Sequence, residues 1–147
     1  MKIGVIGLGF VGLSLSSVLA SKGYNVVGID IDKDKCDKIS KGVSPFFEPG
    51  LEKVLLNGLK KKLVVKTDFS LINDCDMIFV TVGTPQKSNG SIELSMIKNA
   101  VSTIGKIIAK SKKNQILFIK STVTPGTLQN IILPILEKKS GQKAGKE

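Results

Sequence analysis

The sequence predicts an α/β fold built as a doubly wound parallel sheet, and three observations carry that expectation. Short apolar runs alternate with segments of helical period in the order β-α-β-α-α-β-α-β-α-β-α, which calls for a parallel sheet with helices on both faces. The runs are nearly continuous in apolar residues, as befits strands covered on both sides. The first run, Ile3-Gly4-Val5-Ile6, leads straight into Gly7-Leu8-Gly9-Phe10-Val11-Gly12, a spaced glycine pattern set between a strand and a helix.

Each element has its own signal. From Phe10 to Ser21, Val11, Leu15, Val18 and Leu19 recur at helical spacing, and Gly23 ends the helix. Asn25–Ile29 is a second buried strand closed by Asp30, and Lys33–Ser40 a short helix stopped by Gly42. After a loop over Val43–Glu48, Pro49 suits the first turn of a helix reaching about Asn57, with Gly58 as its stop. Leu63-Val64-Val65 is the third strand, and Asp68 suits the cap of a short helical turn. Met77–Val82 is the fourth strand, Gly83–Gly90 a turn-rich loop, and Ser91–Lys110 a long amphipathic helix carrying Ile92, Met96, Ile97, Val101, Ile104, Ile107 and Ile108. Ile116–Ile119 is the fifth strand, and Pro125-Gly126 opens the last helix.

A doubly wound dinucleotide fold of this order has six strands, and five are found. Residues 1–139 therefore read as one domain truncated before its sixth strand, and residues 140–147 as a polar, lysine-rich, mobile tail. The strand Ile116–Ile119 would be an open edge, expected to be covered by a second copy in a homodimer, by a partner chain or by a terminal segment.

Composition narrows the function classes. The length of 147 residues suits one domain. No run of about 18 apolar residues is present, which argues against a membrane span. A strand beginning straight after Met1 leaves no room for a signal peptide, so a cytoplasmic protein is expected. The net charge of +10 comes from lysines alone, which are spread along the chain. With no Arg and one Tyr, base stacking and guanine reading have few candidates, and nucleic acid is not an expected partner. Cys36 and Cys75 form neither a CxxC pair nor a zinc pattern and read as packing thiols, so no metal is expected. The absence of His removes the commonest general base.

The glycine pattern gains force from its context. A strand precedes it, a helix follows it, and the next strand ends in Asp30, 18 residues after Gly12, close to the expected spacing of about 20. Gly7 permits the tight turn, Gly9 lets the backbone approach a pyrophosphate, and Gly12 lets the helix pack close to the strand. Free amides around Phe10 and Val11 would face the phosphates at the positive end of the helix dipole. Asp30 would accept hydrogen bonds from the adenine-side ribose and repel a 2′-phosphate, which favours NAD over NADP. A backbone that put Asp30 out of reach of the bend, or buried it in an ion pair, would overturn this reading. Two more loops, Val82-Gly83-Thr84-Pro85 and Lys120–Thr127, follow the fourth and fifth strands at the sheet edge where open α/β folds bind ligands. Their Ser and Thr residues suit either a ligand site or helix caps.

Together these segments resemble the UDP-glucose/GDP-mannose dehydrogenase family. The matching pieces are Lys2–Leu13, Gly28-Ile29-Asp30-Ile31-Asp32, Phe47-Glu48-Pro49-Gly50-Leu51, Val82-Gly83-Thr84-Pro85 and Lys120-Ser121-Thr122-Val123, in this order over essentially the whole chain. The resemblance is to the family's N-terminal, Rossmann-like NAD-binding domain. It implies a two-step oxidation of a nucleotide sugar at C6 to a carboxylate, using two NAD and a catalytic Cys from later domains. It also implies that Gly7 to Gly12, Asp30 and Lys35 hold adenosine and pyrophosphate, that Val82, Gly83, Thr84 and Pro85 lie along the cofactor, and that Thr122 orients a water or substrate hydroxyl in a supporting role. Gln86 stands where the family often has a small hydroxyl residue, and Thr124-Pro125 departs from the usual proline placement. Neither Cys36 nor Cys75 matches the catalytic cysteine, so this chain is expected to bind NAD without turning over a sugar. Two alternatives stand beside this reading: a stand-alone NAD-binding module acting through a protein partner, and a fragment of a β-hydroxyacid-type dehydrogenase, which the Glu48–Leu51 and Lys120–Val123 segments disfavour.

Overall fold

A computed structural model of the chain describes residues 1–145. Five strands, β1 (Lys2–Ile6), β2 (Asn25–Ile29), β3 (Leu63–Lys66), β4 (Met77–Val80) and β5 (Ile116–Ile119), form one sheet in the order β3-β2-β1-β4-β5. All four pairings are parallel, with Ile3 opposite both Val26 and Met77, Val26 opposite Leu63, and Met77 opposite Ile116. Five helices, α1 (Phe10–Ser21), α2 (Lys33–Ser40), α3 (Leu51–Lys61), α4 (Ser95–Ile108) and α5 (Leu133–Ser140), cover it. The expected strand count and the parallel, doubly wound layout stand as predicted.

The sheet separates two cores. Ile3 and Val5 of β1, Val26 of β2 and Leu63 and Val65 of β3 pack with Leu13 and Ala20 of α1, Ile39 of α2 and Leu51 and Leu55 of α3. On the other face, Ile6, Val27, Ile29, Ile78 and Val80 meet Ile72, the α4 residues Ile97, Val101, Ile104 and Ile108, and Ile132. Each buried Ile or Leu contributes about 1.5–3 kcal/mol by leaving water. The residue alternation within each strand thus serves two apolar layers, which is why the runs carry no polar period.

β3 runs one residue further than expected, to Lys66, and β4 and α4 stop two residues short, at Val80 and Ile108. Four other boundaries differ from expectation, each for a local reason. Gly58 lies inside α3 and does not end it: a Cβ there would stand 3.1 Å from the Ser17 carbonyl and 3.3 Å from Ala20 Cβ, so this glycine lets α3 lie close on α1. The same helix starts at Leu51, because Gly50 takes a left-handed conformation (φ 83°). α4 begins at Ser95. The preceding residues make a small hairpin in which Gln86 bridges Ile92, the Lys87 N–H donates to the Ser91 carbonyl and Gly90 turns with φ 82°. The last helix opens with a π-helical turn over Leu128–Ile132 before α5. Pro134 has no N–H for the Asn130 carbonyl, and the Leu133 N–H closes a wider ring onto the Leu128 carbonyl. Asp68 caps a 3₁₀ turn over Phe69–Asp74 as expected, accepting from the Ser70 N–H at 2.8 Å.

Ser140 closes α5. Beyond it, Lys143 pairs with Glu137 at 2.9 Å and the Ala144 N–H bonds the same carboxylate at 3.1 Å, so the described part of the expected mobile tail is folded back. Lys146 and Glu147 of that tail lie outside the described residues. β5 is a sheet edge, with Ile116 51% and Phe118 39% exposed. No helix among the described residues is long and apolar enough to cross a membrane.

Candidate functional site

From β1 the chain winds outward to β2 and β3 on one side, and β4 and β5 lie on the other. The direction of winding therefore reverses between β1 and β4, and the loops leaving those two strands diverge to leave a crevice. A cleft of about 690 Å³ opens there, running from Asp30, Lys35 and Phe69 past Gly7, Gly9, Phe10 and Val11 to Thr84 and Thr122.

The floor of the cleft is the glycine bend. Gly7 has φ 91°, and a Cβ on it would stand 2.9 Å from Val82 Cα, so the turn requires glycine on both counts. Leu8, fully buried, anchors the bend beneath α1. A Cβ on Gly9 would meet nothing within 4 Å, so this residue leaves its backbone open toward the cleft. A Cβ on Gly12 would overlap the Gly7 carbonyl and stand 2.5 Å from Thr81 Oγ1, which accounts for the close seating of α1 on β1. No side chain caps the start of α1, so the first-turn N–H groups are left for a ligand. Anionic and uncapped requirements coincide here: the cradle fits a pyrophosphate.

Asp30 stands at the end of β2, 6% exposed, within reach of the bend. Its Oδ2 accepts the Leu8 N–H at 2.8 Å and the Lys35 ammonium at 2.9 Å, and its Oδ1 accepts the Asp32 N–H at 3.0 Å. Burial alone would raise its pKa, but the bonds from the Asp32 N–H, Lys35 and the Leu8 N–H outweigh it and hold the carboxyl below its ordinary value. Of the two conditions named above as fatal, the first is not met, since Asp30 is in reach of the bend. The second is met: Asp30 is buried in an ion pair with Lys35, and that condition is corrected here because it took any ion pair to block the site. That pair does not close the site. Lys35 is itself on the cleft wall with 29% of its side chain exposed, and among the described residues three donors use three of about four lone-pair positions. Oδ1 keeps one acceptor position.

At the far end the loops after β4 and β5 are clasped. The Thr84 hydroxyl donates to the Thr122 carbonyl at 2.7 Å, and the Ser121 hydroxyl to the Val82 carbonyl at 2.7 Å. Val82, Gly83, Thr84 and Thr122 line the cleft. Pro85 does not; its carbonyl accepts the Glu93 N–H at the base of the hairpin. Gly12 is also off the cleft surface and serves packing.

Sequence reasoning missed one wall. Met96, Asn99, Ala100 and Thr103 of α4 face the cleft, at the i, i+3, i+4, i+7 spacing of one helical stripe. That spacing is present in the sequence, but the adjoining stripe of Ile97, Val101, Ile104 and Ile108 carries the stronger apolar period and marks only the core face. Thr81, beneath the bend, was missed as well; its hydroxyl lies 2.7 Å from the Gly7 carbonyl. Neither cysteine takes part in the site: both are buried, and burial pushes the Cys75 thiol up to about 11. No group of three or more His, Cys, Asp or Glu among the described residues is placed to hold a metal ion.

Comparison with known proteins decides the lineage. Residues 1–147 match the family model described as "UDP-glucose/GDP-mannose dehydrogenase family, NAD binding domain". The chain belongs to this family. It is 43% identical over 147 residues to a GDP-mannose 6-dehydrogenase of Pseudomonas syringae pv. tomato, a match that covers 99% of this chain and 34% of the relative. The fold superimposes on a GDP-mannose dehydrogenase of Pseudomonas aeruginosa solved as a ternary complex, with a TM-score of 0.95 and 39% identity over 97% of this chain and 33% of that one. A UDP-glucose dehydrogenase of Pyrobaculum islandicum gives a TM-score of 0.91 at 28% identity, over 97% of this chain and 33% of that one. The chain spans about a third of the length of the relatives it matches, and that third is the family's NAD-binding domain.

Proposed function

We propose that the cleft holds NAD through the glycine bend, Asp30 and Lys35 at one end and the Val82–Thr84 and Thr122 loops at the other, and serves a nucleotide-sugar 6-dehydrogenase. The observation that carries the reading is the meeting, at one switch point, of an uncapped helix start, a glycine with open space before it and a carboxylate bonded to the bend. Gly9 and the first-turn amides of α1 receive the pyrophosphate. Asp30 Oδ1 and the Lys35 ammonium take the adenine-side ribose hydroxyls, and the buried negative charge disfavours a 2′-phosphate. When bound, NAD supplies the ring that accepts hydride from the sugar. Thr122 lies near that end of the cleft and supports a water or substrate hydroxyl. The oxidation of the sugar C6 alcohol to a carboxylate, with two NAD, belongs to the complete enzyme. The isolated chain holds no thiol at the cleft to carry the second step, and binds NAD without turnover.

The exposed β5 edge favours a covering partner in the working protein, a second copy or another polypeptide segment laid along Ile116–Ile119. Calorimetric titration of the chain with NAD and NADP tests the cofactor reading. NAD is expected to bind at least about tenfold tighter than NADP, one hydrogen bond to a charged group being worth about 1.5–3 kcal/mol. In parallel, UDP-glucose and GDP-mannose should show no NADH formation. Equal affinity for the two cofactors, or no heat with NAD, overturns the assignment.

A further inference from the structure

Thr81 sits one residue past β4, 9% exposed, with no place in the reading above as a ligand contact. Its N–H continues the sheet ladder to the Ile6 carbonyl at 2.8 Å. Its hydroxyl has one proton and two carbonyls in reach, Gly7 at 2.7 Å and Ile6 at 3.0 Å. The Ile6 carbonyl already receives the Thr81 N–H, so the shorter bond, to Gly7, is the one the proton serves best.

The Gly7 carbonyl and the Leu8 N–H belong to one peptide group. That N–H donates to Asp30 Oδ2 at 2.8 Å. A peptide group is planar and trans, so its carbonyl and N–H point to opposite sides and turn together. Holding the carbonyl toward β4 therefore aims the N–H at β2. From these contacts we infer that Thr81 is a positioning residue: its hydroxyl fixes the Gly7–Leu8 peptide, and through it both the bend that cradles the pyrophosphate and the carboxylate of Asp30.

Two further features support this. The bend has little room to find another geometry, since a Cβ on Gly7 would meet Val82 Cα at 2.9 Å and one on Gly12 would meet Thr81 Oγ1 at 2.5 Å. The bonds also run in one sense, from the Thr81 hydroxyl to the Gly7 carbonyl and from the Leu8 N–H to Asp30, so each polarises the next across the peptide. A hydroxyl under the strand exit would thus reach a ribose it never touches. The sequence offers Thr81 as the one polar residue in an otherwise apolar strand run, Met77 to Val82.

The inference rests on NAD occupying this cleft, and the experiment separates the two. Thr81→Val keeps the volume and removes the hydroxyl; Thr81→Ser keeps the hydroxyl. In the 147-residue chain, NAD dissociation constants come from calorimetry and the exchange rate of the Leu8 amide from NMR. Thr81→Val should raise the NAD dissociation constant about tenfold, the equivalent of about 1.4 kcal/mol for one lost hydrogen bond, and speed Leu8 exchange. Thr81→Ser should stay within about twofold of the parent on both. A purely structural role would lower the thermal midpoint and leave the affinity of the folded protein alone. Parental affinity and parental Leu8 exchange in a folded Thr81→Val chain overturn the inference; should that variant not fold, the same result in Thr81→Ala does so. Failure of the parent to bind NAD would instead sink the functional reading, and the Leu8 exchange comparison would still decide the role of Thr81.

Discussion

The two ends of the cleft are built on different terms. At the β1–β2 end the ligand-facing groups are backbone amides, shaped by Gly7 and Gly12, which admit no Cβ, and braced by a carboxylate that is 6% exposed. At the β4–β5 end the loops are held by hydroxyls that donate across to each other's carbonyls, Thr84 to Thr122 and Ser121 to Val82, on a more exposed rim. The first arrangement depends on excluded volume and buried charge, where an error has no solvent to absorb it. The second depends on neutral hydrogen bonds that water can partly replace. Affinity for the dinucleotide should therefore reside mainly at the glycine end, and loop placement at the other.

The sharpest way to break that comparison is Gly12→Ala. The added methyl overlaps the Gly7 carbonyl and crowds Thr81 Oγ1, so α1 must back away from the bend. Overpacking of this kind costs about 1–3 kcal/mol in stability, and displacement of the first-turn amides should weaken NAD by roughly a hundredfold. Thermal melting and calorimetry read the two effects, and an alanine variant with parental NAD affinity would show that the close seating of the helix is dispensable. Asp30→Ala comes next, expected to weaken NAD by about 1.5–3 kcal/mol, or ten- to a hundredfold and somewhat more. The pH dependence follows from the same group. Its pKa in the folded chain is held below the ordinary carboxylate value, so the carboxylate stays ionised and able to accept a ribose hydroxyl until pH falls through that lowered value. NAD affinity should be flat from about pH 5 to 8 and fall only in stronger acid; a midpoint near neutrality would mean that another group governs binding.

What was legible in the sequence divides along the same line. The bend and Asp30 could be read because glycine and a strand-ending carboxylate leave few alternatives once a strand precedes them and a helix follows. β2, β5, α1 and α2 kept the limits their periodicity gave. The rest depended on contacts between distant segments. Gly58 looks like a helix stop until α1 is packed against it, and the Gly83–Ile92 stretch looks like a loop and a helix start until Gln86 meets Ile92 across a hairpin. The Asp30–Lys35 pair is five residues apart in sequence, yet it arises only because Asp32 caps α2 and sets that helix across the end of β2. Thr81 stands out as the one polar residue of its strand run, but nothing local says that its hydroxyl meets the Gly7 carbonyl. The cleft-facing stripe of α4 has no local signature, since an Asn in a helix is equally at home on a surface.

The weakest expected effect sharpens the comparison from the other side. Thr84→Val removes the hydroxyl that holds the Thr122 carbonyl but leaves the parallel bond from Ser121 to Val82 in place. A neutral hydrogen bond on a partly exposed rim is worth about 0.5–1.5 kcal/mol at most, and water can serve the Thr122 carbonyl once the hydroxyl is gone. NAD should therefore bind within about fivefold of the parent. Adding Ser121→Ala removes the second half of the clasp. Because each bond holds the loop that presents the other, the double variant should lose more than the sum of the singles, by roughly 0.5 kcal/mol or more. Calorimetry on the four proteins closes the cycle. Strict additivity would mean that the two loops are placed by their strands alone, and a Thr84→Val loss as large as that of Asp30→Ala would mean that the hydroxyl end carries affinity after all.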